Sequence, residues 1–190
     1  MKEIKKIVLS AALLTMTSVS AIYAQTQTTD SSATQSAAAT QQPAASGDVL
    51  QAISQSGYNT IFRTSITTAG LESTLTGAGP YTVFAPSDQA FSAGSKADSL
   101  LKDPAKLTPV LRGHIVNGKY TKDDIIKALT AGKGTATMTT IDGGTLTLKV
   151  NASKNLELSD SAGNTALVTV FDLQGTNGVG HVINNVLLAK

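Results

Sequence analysis

The sequence has 190 residues, enough for one domain of ordinary size, and it contains no cysteine, which excludes disulfide bonds, thiolate metal sites and a cysteine nucleophile. The formal net charge of +2 arises in the first six residues, where Lys2, Lys5 and Lys6 outnumber Glu3. Beyond this segment the basic and acidic residues balance and form no basic run, so the composition argues against a nucleic-acid partner.

Residues 1–24 have the order of a secretory signal peptide. A basic start is followed by an apolar run over Ile7 to Met16 and by small residues that end at Ala24, after which we expect cleavage. The apolar run is shorter than the roughly twenty residues that a membrane-spanning helix needs; an uncleaved anchor is the alternative. We therefore expect an exported protein, either periplasmic or at the cell surface and extracellular, with no integral membrane span after cleavage.

Residues 25–47 are predicted to form a flexible polar tether. They consist mainly of Gln, Thr, Ser and Ala and contain no Leu, Ile, Val, Met or aromatic residue. Such a segment buries too little apolar surface to offset the entropy of ordering. A glycosylated or wall-crossing spacer is the functional alternative. The folded domain is predicted to cover residues 48–190.

The first half of this domain is predicted to be mainly helical. Asp48 is placed to cap a helix, and apolar residues at three- and four-residue spacing continue over Tyr58 to Ala69, where Gly70 provides a stop. The next elements follow in chain order: a helical turn at Leu71–Leu75, a strand at Tyr81–Ala85 ended by Pro86, a segment capped by Ser87, a helical stripe over Pro104–Val116, and a helix capped by Thr121 with Asp123 and Asp124 in its first turn.

The second half is predicted to be a β-meander. The runs rich in β-forming residues are Thr135–Ile141, Thr145–Val150, Asn155–Leu158 and Ala166–Phe171, and turn residues separate them. We expect a flexible loop at Gly175–Gly180 and a last strand at His181–Leu188. Helices followed by a meander indicate an α+β fold, not a doubly wound parallel sheet.

Three segments resemble the fasciclin-domain family. They are Tyr81–Phe91 (YTVFAPSDQAF), Leu111–Tyr120 (LRGHIVNGKY) and Gly180–Leu188 (GHVINNVLL), which are similar to the family's signature box, its central histidine segment and its closing box. The resemblance covers residues 48–190 and implies a twisted β-sandwich or wedge with several helices packed on one side. It also implies an adhesion role, with an extracellular or cell-envelope protein or polysaccharide as partner.

The residues that carry the resemblance are expected to be mainly structural. They are Thr82, Val83, Phe84, Ala85, Pro86, Ser87, Asp88 and Phe91 in the first box and His181, Val182 and Ile183 in the closing box. Val83 and Phe84 are predicted core residues. Ser87 is predicted to cap the following helix, and Asp88 to accept hydrogen bonds from free backbone N–H groups of that same helix.

A binding surface is predicted at His114, Asn117, Lys119 and Tyr120, because an aromatic side chain beside polar groups in an exposed turn is a common anchor. Two structural alternatives stand beside it: His114 buried and hydrogen-bonded, and Tyr120 packed on the following helix. In adhesive animal members of the family a tyrosine precedes the central histidine, whereas Gly113 stands there in this chain. This departure argues against the receptor-binding motif of those members.

No residue pattern supports a named reaction. The two histidines, His114 and His181, have no clustered carboxylates near them in sequence and make a poor metal site, and no G-x-S-x-G nucleophile elbow occurs. We therefore predict a protein that is not an enzyme and holds neither metal nor cofactor. The leading hypothesis is an exported adhesion or matrix-interaction module. The alternative is a carrier of a small apolar ligand, a lipid or pigment, in a cleft between helices and sheet.

Overall fold

The structure is a computed structural model that describes residues 47–93 and 100–188. The predicted signal peptide and nearly all of the predicted tether lie outside the described residues. The described helices are α1 (Val49–Gln55), α2 (Thr60–Thr68), α3 (Glu72–Thr76), α4 (Asp88–Ser92), α5 (Pro104–Arg112) and α6 (Lys122–Ala131). The strands are β1 (Tyr81–Pro86), β2 (Ile115–Asn117), β3 (Thr135–Thr139), β4 (Thr145–Val150), β5 (Leu156–Ser159), β6 (Thr165–Gly175) and β7 (Gly178–Ile183).

The strands form one seven-stranded sheet in the order β2-β1-β7-β6-β5-β4-β3. Neighbours are antiparallel except β1 and β7, which run parallel with Tyr81 opposite Gly178 and Pro86 opposite Ile183. An isolated antiparallel bridge between Val116 and Thr140 joins the two outer strands. The sheet is therefore nearly closed on itself, and the predicted α+β class is confirmed.

Two apolar clusters fill this architecture. The first joins residues of α1, α2, α4 and α5 to the β1 face that carries Val83 and Ala85. The second lies within the curved sheet, where Phe84 meets residues of β3 to β7 and the inner face of α6. Because successive residues of a strand point to opposite faces, β1 contributes to both clusters and is buried from Thr82 to Pro86.

The predicted helix that continues over Tyr58 is two helices. Asn59, which is buried, ends the continuity: its side-chain amide donates to the carbonyls of Ala85 (3.1 Å) and Pro86 (2.7 Å). Tyr58 is 59% exposed and does not belong to the apolar face. A tertiary hydrogen bond therefore overrides the helical spacing.

The predicted helix over Pro104–Val116 is also too long. α5 ends at Arg112, where the backbone N–H of Gly113 closes the last turn onto the carbonyl of Pro109 (3.0 Å). Ile115 and the two residues after it pair with β1 as strand β2, with Ile115 opposite Val83. The apolar side chains of Ile115 and Val116 fit either a helix or a strand, and pairing with the buried strand β1 selects the strand.

The predicted loop at Gly175–Gly180 is a tight hairpin, since β6 runs to Gly175 and β7 begins at Gly178. These glycines are required by close packing. A Cβ on Gly175 would meet the backbone of Val49 in α1, and one on Gly180 would lie 2.7 Å from Cγ1 of Ile53. The last strand ends at Ile183, so the predicted strand at His181–Leu188 is too long by five residues.

Two residues of the first box act as helix caps. Ser87 Oγ accepts from the backbone N–H of Ala90 at 3.2 Å and caps α4, as predicted. Asp88 does not cap that helix. Its carboxylate accepts from the backbone N–H of Ile61 at 2.7 Å, at the start of α2, where the helix dipole also favours a negative charge.

Replacing Asp88 by alanine is expected to lower the free energy of unfolding by about 1 kcal/mol, because α2 loses its side-chain cap. Gln89→Ala, at the exposed neighbouring position, is the control and is expected to leave stability nearly unchanged. Urea unfolding followed by circular dichroism measures both variants. Equal midpoints for the two would show that the Asp88 carboxylate contributes no stability.

Candidate binding surface

One buried hydroxyl group makes two hydrogen bonds to the surface loop between β2 and α6. Thr82, which is buried in β1, donates from Oγ1 to the carbonyl of Gly118 at 2.7 Å and accepts from the backbone N–H of Tyr120 at 2.9 Å. Backbone groups of a loop otherwise bond to water, and a buried hydroxyl that satisfies two of them fixes the loop on the sheet. We therefore interpret the loop as a platform fixed on the sheet.

His181 also holds this loop. Its Nε2 lies 2.9 Å from the carbonyl of Tyr120, and its Nδ1 accepts from the backbone N–H of Asp172 at 3.3 Å. The imidazole is therefore the tautomer with the proton on Nε2, which donates to Tyr120. It stacks on Phe84 at 5.5 Å and meets the edge of Phe171 at 5.8 Å. Burial lowers the pKa of His181, which favours this neutral form.

His114 lies in the core and does not reach the surface. Its Nδ1 lies 2.7 Å from the carbonyl of Val110, and its Nε2 accepts from the backbone N–H of Leu187 at 3.1 Å. The side chain is completely buried and ties α5 to the segment that follows β7. The alternative of a buried, hydrogen-bonded His114 is confirmed.

The other three predicted surface residues share the loop. Asn117 and Lys119 are exposed, and Tyr120 is half-buried, with its ring packed against the second apolar cluster. The Tyr120 ring also lies over Gly118, where an added Cβ would be 2.8 Å from Cε2 of the ring and where φ is +103°. Glycine at 118 therefore lets the ring fold back over the loop. His114 is buried and therefore does not share the surface of these three residues.

A second feature beside this loop was not predicted from the sequence. It is a groove of about 240 Å³ between α6 and strands β4, β5 and β6, which we call the α6 groove. Its lining residues are Lys122, Ile125, Ile126, Leu129, Val150, Lys154, Asn155, Leu156, Val168 and Phe171. The one signal in the sequence is the adjacent pair Ile125-Ile126, because neighbouring helix residues diverge and only one of the two can face the core.

The described residues offer no metal site or membrane span. Among residues 47–93 and 100–188 no three His, Cys, Asp or Glu side chains are grouped so that they could hold a metal ion. In the same ranges no helix is both long enough and apolar enough to cross a bilayer.

Thr82→Val is expected to lower the free energy of unfolding by about 1–3 kcal/mol, because it leaves two backbone groups of the loop without their buried partner. It is also expected to speed hydrogen exchange at the Tyr120 amide. Thr82→Ser, which retains the hydroxyl, is the matched control. The fixed-platform interpretation is wrong if the valine and serine variants protect the Tyr120 amide equally.

Stability is expected to fall as pH drops from about 6.5 to about 4. Burial lowers the pKa of His114 to about 4, although the carbonyl of Val110 and the charges of Asp160 and Asp142 oppose the shift. The unfolded chain binds a proton at His114 at higher pH than the folded chain does, so neutral His114 makes its full contribution to the free energy of unfolding above pH 6.5. Between pH 6.5 and pH 4 the loss amounts to about 3 kcal/mol.

Urea unfolding between pH 4 and pH 7 measures this loss. A His114→Gln variant is expected to be less stable at pH 7 and to show a shallower dependence on pH. A remaining slope is expected from His181, whose pKa is shifted in the same direction. If the variant does not fold, the imidazole of the unchanged protein is titrated by NMR. Protonation of His114 near pH 6.5 in the folded state would contradict the prediction.

Relatives of known sequence match most of the chain. Protein sll1483 of Synechocystis sp. is 32% identical over 172 residues, which cover 87% of this chain and 84% of that protein. Uncharacterized protein sll1735 of the same organism is 30% identical over 139 residues, 72% of this chain and 93% of that one. The transforming growth factor-beta-induced protein ig-h3 of Sus scrofa is 28% identical over 128 residues, 66% of this chain but 17% of its own length.

A solved structure and a family model agree with these matches. The structure of a FAS1 domain pair from the insect cell adhesion molecule fasciclin I superposes with a TM-score of 0.63 at 19% identity, covering 76% of this chain. This chain spans about half of that pair, since the match covers 52% of it. The Fasciclin domain model matches residues 57–189. The chain therefore belongs to the fasciclin family.

Proposed function

We propose that this protein is an exported adhesion module that binds an extracellular or cell-envelope protein or polysaccharide through the loop Asn117–Tyr120. The fasciclin family is known in adhesion proteins, and the solved domain pair comes from a cell adhesion molecule. A site on a rigid scaffold loses little conformational entropy when it binds. The observation that carries the proposal is the loop held by Thr82 and His181.

The chemistry of the loop suits recognition of a polar surface. Asn117 and Lys119 present an amide and an ammonium group to solvent, and the ring of Tyr120 is half-covered. An aromatic ring supported from below adds contact area at low entropic cost, and neighbouring polar groups supply directional hydrogen bonds. These groups supply contacts, and we propose binding without catalysis.

The test is binding of the full-length chain to immobilised polysaccharides and matrix proteins. We expect saturable binding to at least one of them, and we expect Tyr120→Ala and Lys119→Ala each to weaken it about tenfold, as for anchor residues at the centre of an interface. Tyr58→Ala is the matched control, since Tyr58 is a more exposed tyrosine, 59% exposed, in the loop between α1 and α2.

Because Tyr120 packs on the second apolar cluster, its replacement is checked by thermal unfolding, and Tyr120→Phe is included to retain the ring. Binding that is weakened by Tyr120→Ala and Lys119→Ala but not by Tyr58→Ala supports the proposal. Saturable binding that none of the loop variants changes places the contact elsewhere and overturns it. Absence of binding to every immobilised surface also counts against an adhesion module.

A further inference from the structure

The α6 groove has an apolar floor formed by two layers of the fold. Ile125 and Leu129 come from α6, and Leu156 and Val168 come from the sheet. All four are buried, with no more than 7% of each exposed. The floor is thus part of the second apolar cluster, and the groove opens directly onto the core of the domain.

The rim of the groove carries apolar side chains that are unusually exposed. Ile126 is 49% exposed and Val150 is 51% exposed, and together with Tyr58 they are the large apolar residues of the described chain that stand out in this way. Phe171, half-buried, completes the rim. Exposed apolar groups that meet around a concavity indicate a binding site more strongly than scattered ones do.

Two lysines give the groove a single sign of charge. Lys122 and Lys154 are the charged residues of its lining, which contains no acid. Lys122 Nζ lies 5.4 Å from the centroid of the Phe171 ring. Within the described residues neither lysine forms an ion pair, whereas Lys127 on the same helix is paired with Asp124 at 3.6 Å.

The backbone fixes where both lysines stand. Lys122 begins α6, and its N–H donates to Asp172 Oδ1 at 2.8 Å, which ties the start of the helix to β6. Lys154 has a φ of 63° in the turn between β4 and β5, and its N–H donates to the carbonyl of Asn151 at 2.9 Å. The main chain therefore places both lysines beside the groove.

We propose that the α6 groove binds a monomeric amphiphile with a carboxylate head and one alkyl chain. The head pairs with the two lysines, and the chain covers Ile126, Val150 and the floor. A volume of about 240 Å³ is small for a ligand pocket, which suits a single short alkyl chain. This site gives the carrier alternative a specific location and ligand class, and it does not depend on the proposed adhesion loop.

The test is calorimetric titration of the full-length chain with decanoate below its micelle-forming concentration. Decyltrimethylammonium and decanol, which carry the same chain on a cationic and a neutral head, are titrated in parallel. We expect decanoate to bind about tenfold more tightly than the cationic amphiphile, because like charges at the mouth oppose the latter. Equal affinities for the anionic and cationic amphiphiles would overturn the proposal.

A double variant locates the site. Lys122→Gln with Lys154→Asn removes both charges, and asparagine tolerates the positive φ at position 154. The matched control is Lys106→Gln with Lys133→Asn, since Lys133 also has a positive φ (55°) and follows the opposite end of α6. We expect the first variant to bind decanoate about tenfold more weakly and the control to bind it unchanged.

Ile126→Asp tests the apolar rim at an exposed position that tolerates a polar side chain. We expect it to weaken decanoate binding at least as much as the double lysine variant does. The apolar run at Ile7–Met16 is common to all variants, so binding there does not alter the comparison. Decanoate affinity that is unchanged in both groove variants overturns the proposal. So does binding to vesicles that contain an anionic lipid without any binding of monomeric decanoate. If the chain binds decanoate but none of the immobilised polysaccharides and matrix proteins, only the adhesion proposal is overturned.

Discussion

The parallel pairing of β1 with β7 is the constraint on which the rest of the molecule depends. It joins Tyr81–Pro86 to Gly178–Ile183 across about a hundred residues of chain and thereby brings the helical first half onto the meander of the second half. Parallel neighbours need a long crossover connection, and here that connection contains β2 to β6. The same register sets Phe84 opposite His181, so that the aromatic stack and the hydrogen bond to Tyr120 follow from the pairing.

The local elements could be predicted from the sequence because each depends on residues close together in the chain. Asp48, Ser87 and Thr121 cap the helices that follow them, and the turn residues separate β3 to β6 as the pattern indicates. Several errors share one physical cause, which is a contact with a distant segment. Asp88 caps a helix that begins almost thirty residues earlier, and the glycines of the β6–β7 hairpin are packed beneath α1.

The two candidate sites differed in how far the sequence could predict them. The loop at Asn117–Tyr120 is continuous in sequence and was predicted, whereas His114 is buried and accepts a hydrogen bond from the distant Leu187. The α6 groove was missed because its lining comes from one helix and three strands. A lysine in a turn and a valine at the end of a strand carry no signal of their own. Only the folded chain places their side chains around one concavity.

The bridge between Val116 and Thr140 limits the ways in which a partner can dock. β2 has three residues, and its outer edge is occupied, since Val116 is in the bridge and the carbonyl of Ile115 accepts from the N–H of Ile141 at 2.9 Å. At the opposite edge, β3 is five residues long and has α6 packed against it. A peptide that recognises proteins by adding a strand to a sheet needs a free run of backbone groups. In the described part of this chain the two edge strands have three and five residues, so the sheet offers little free backbone for that kind of pairing.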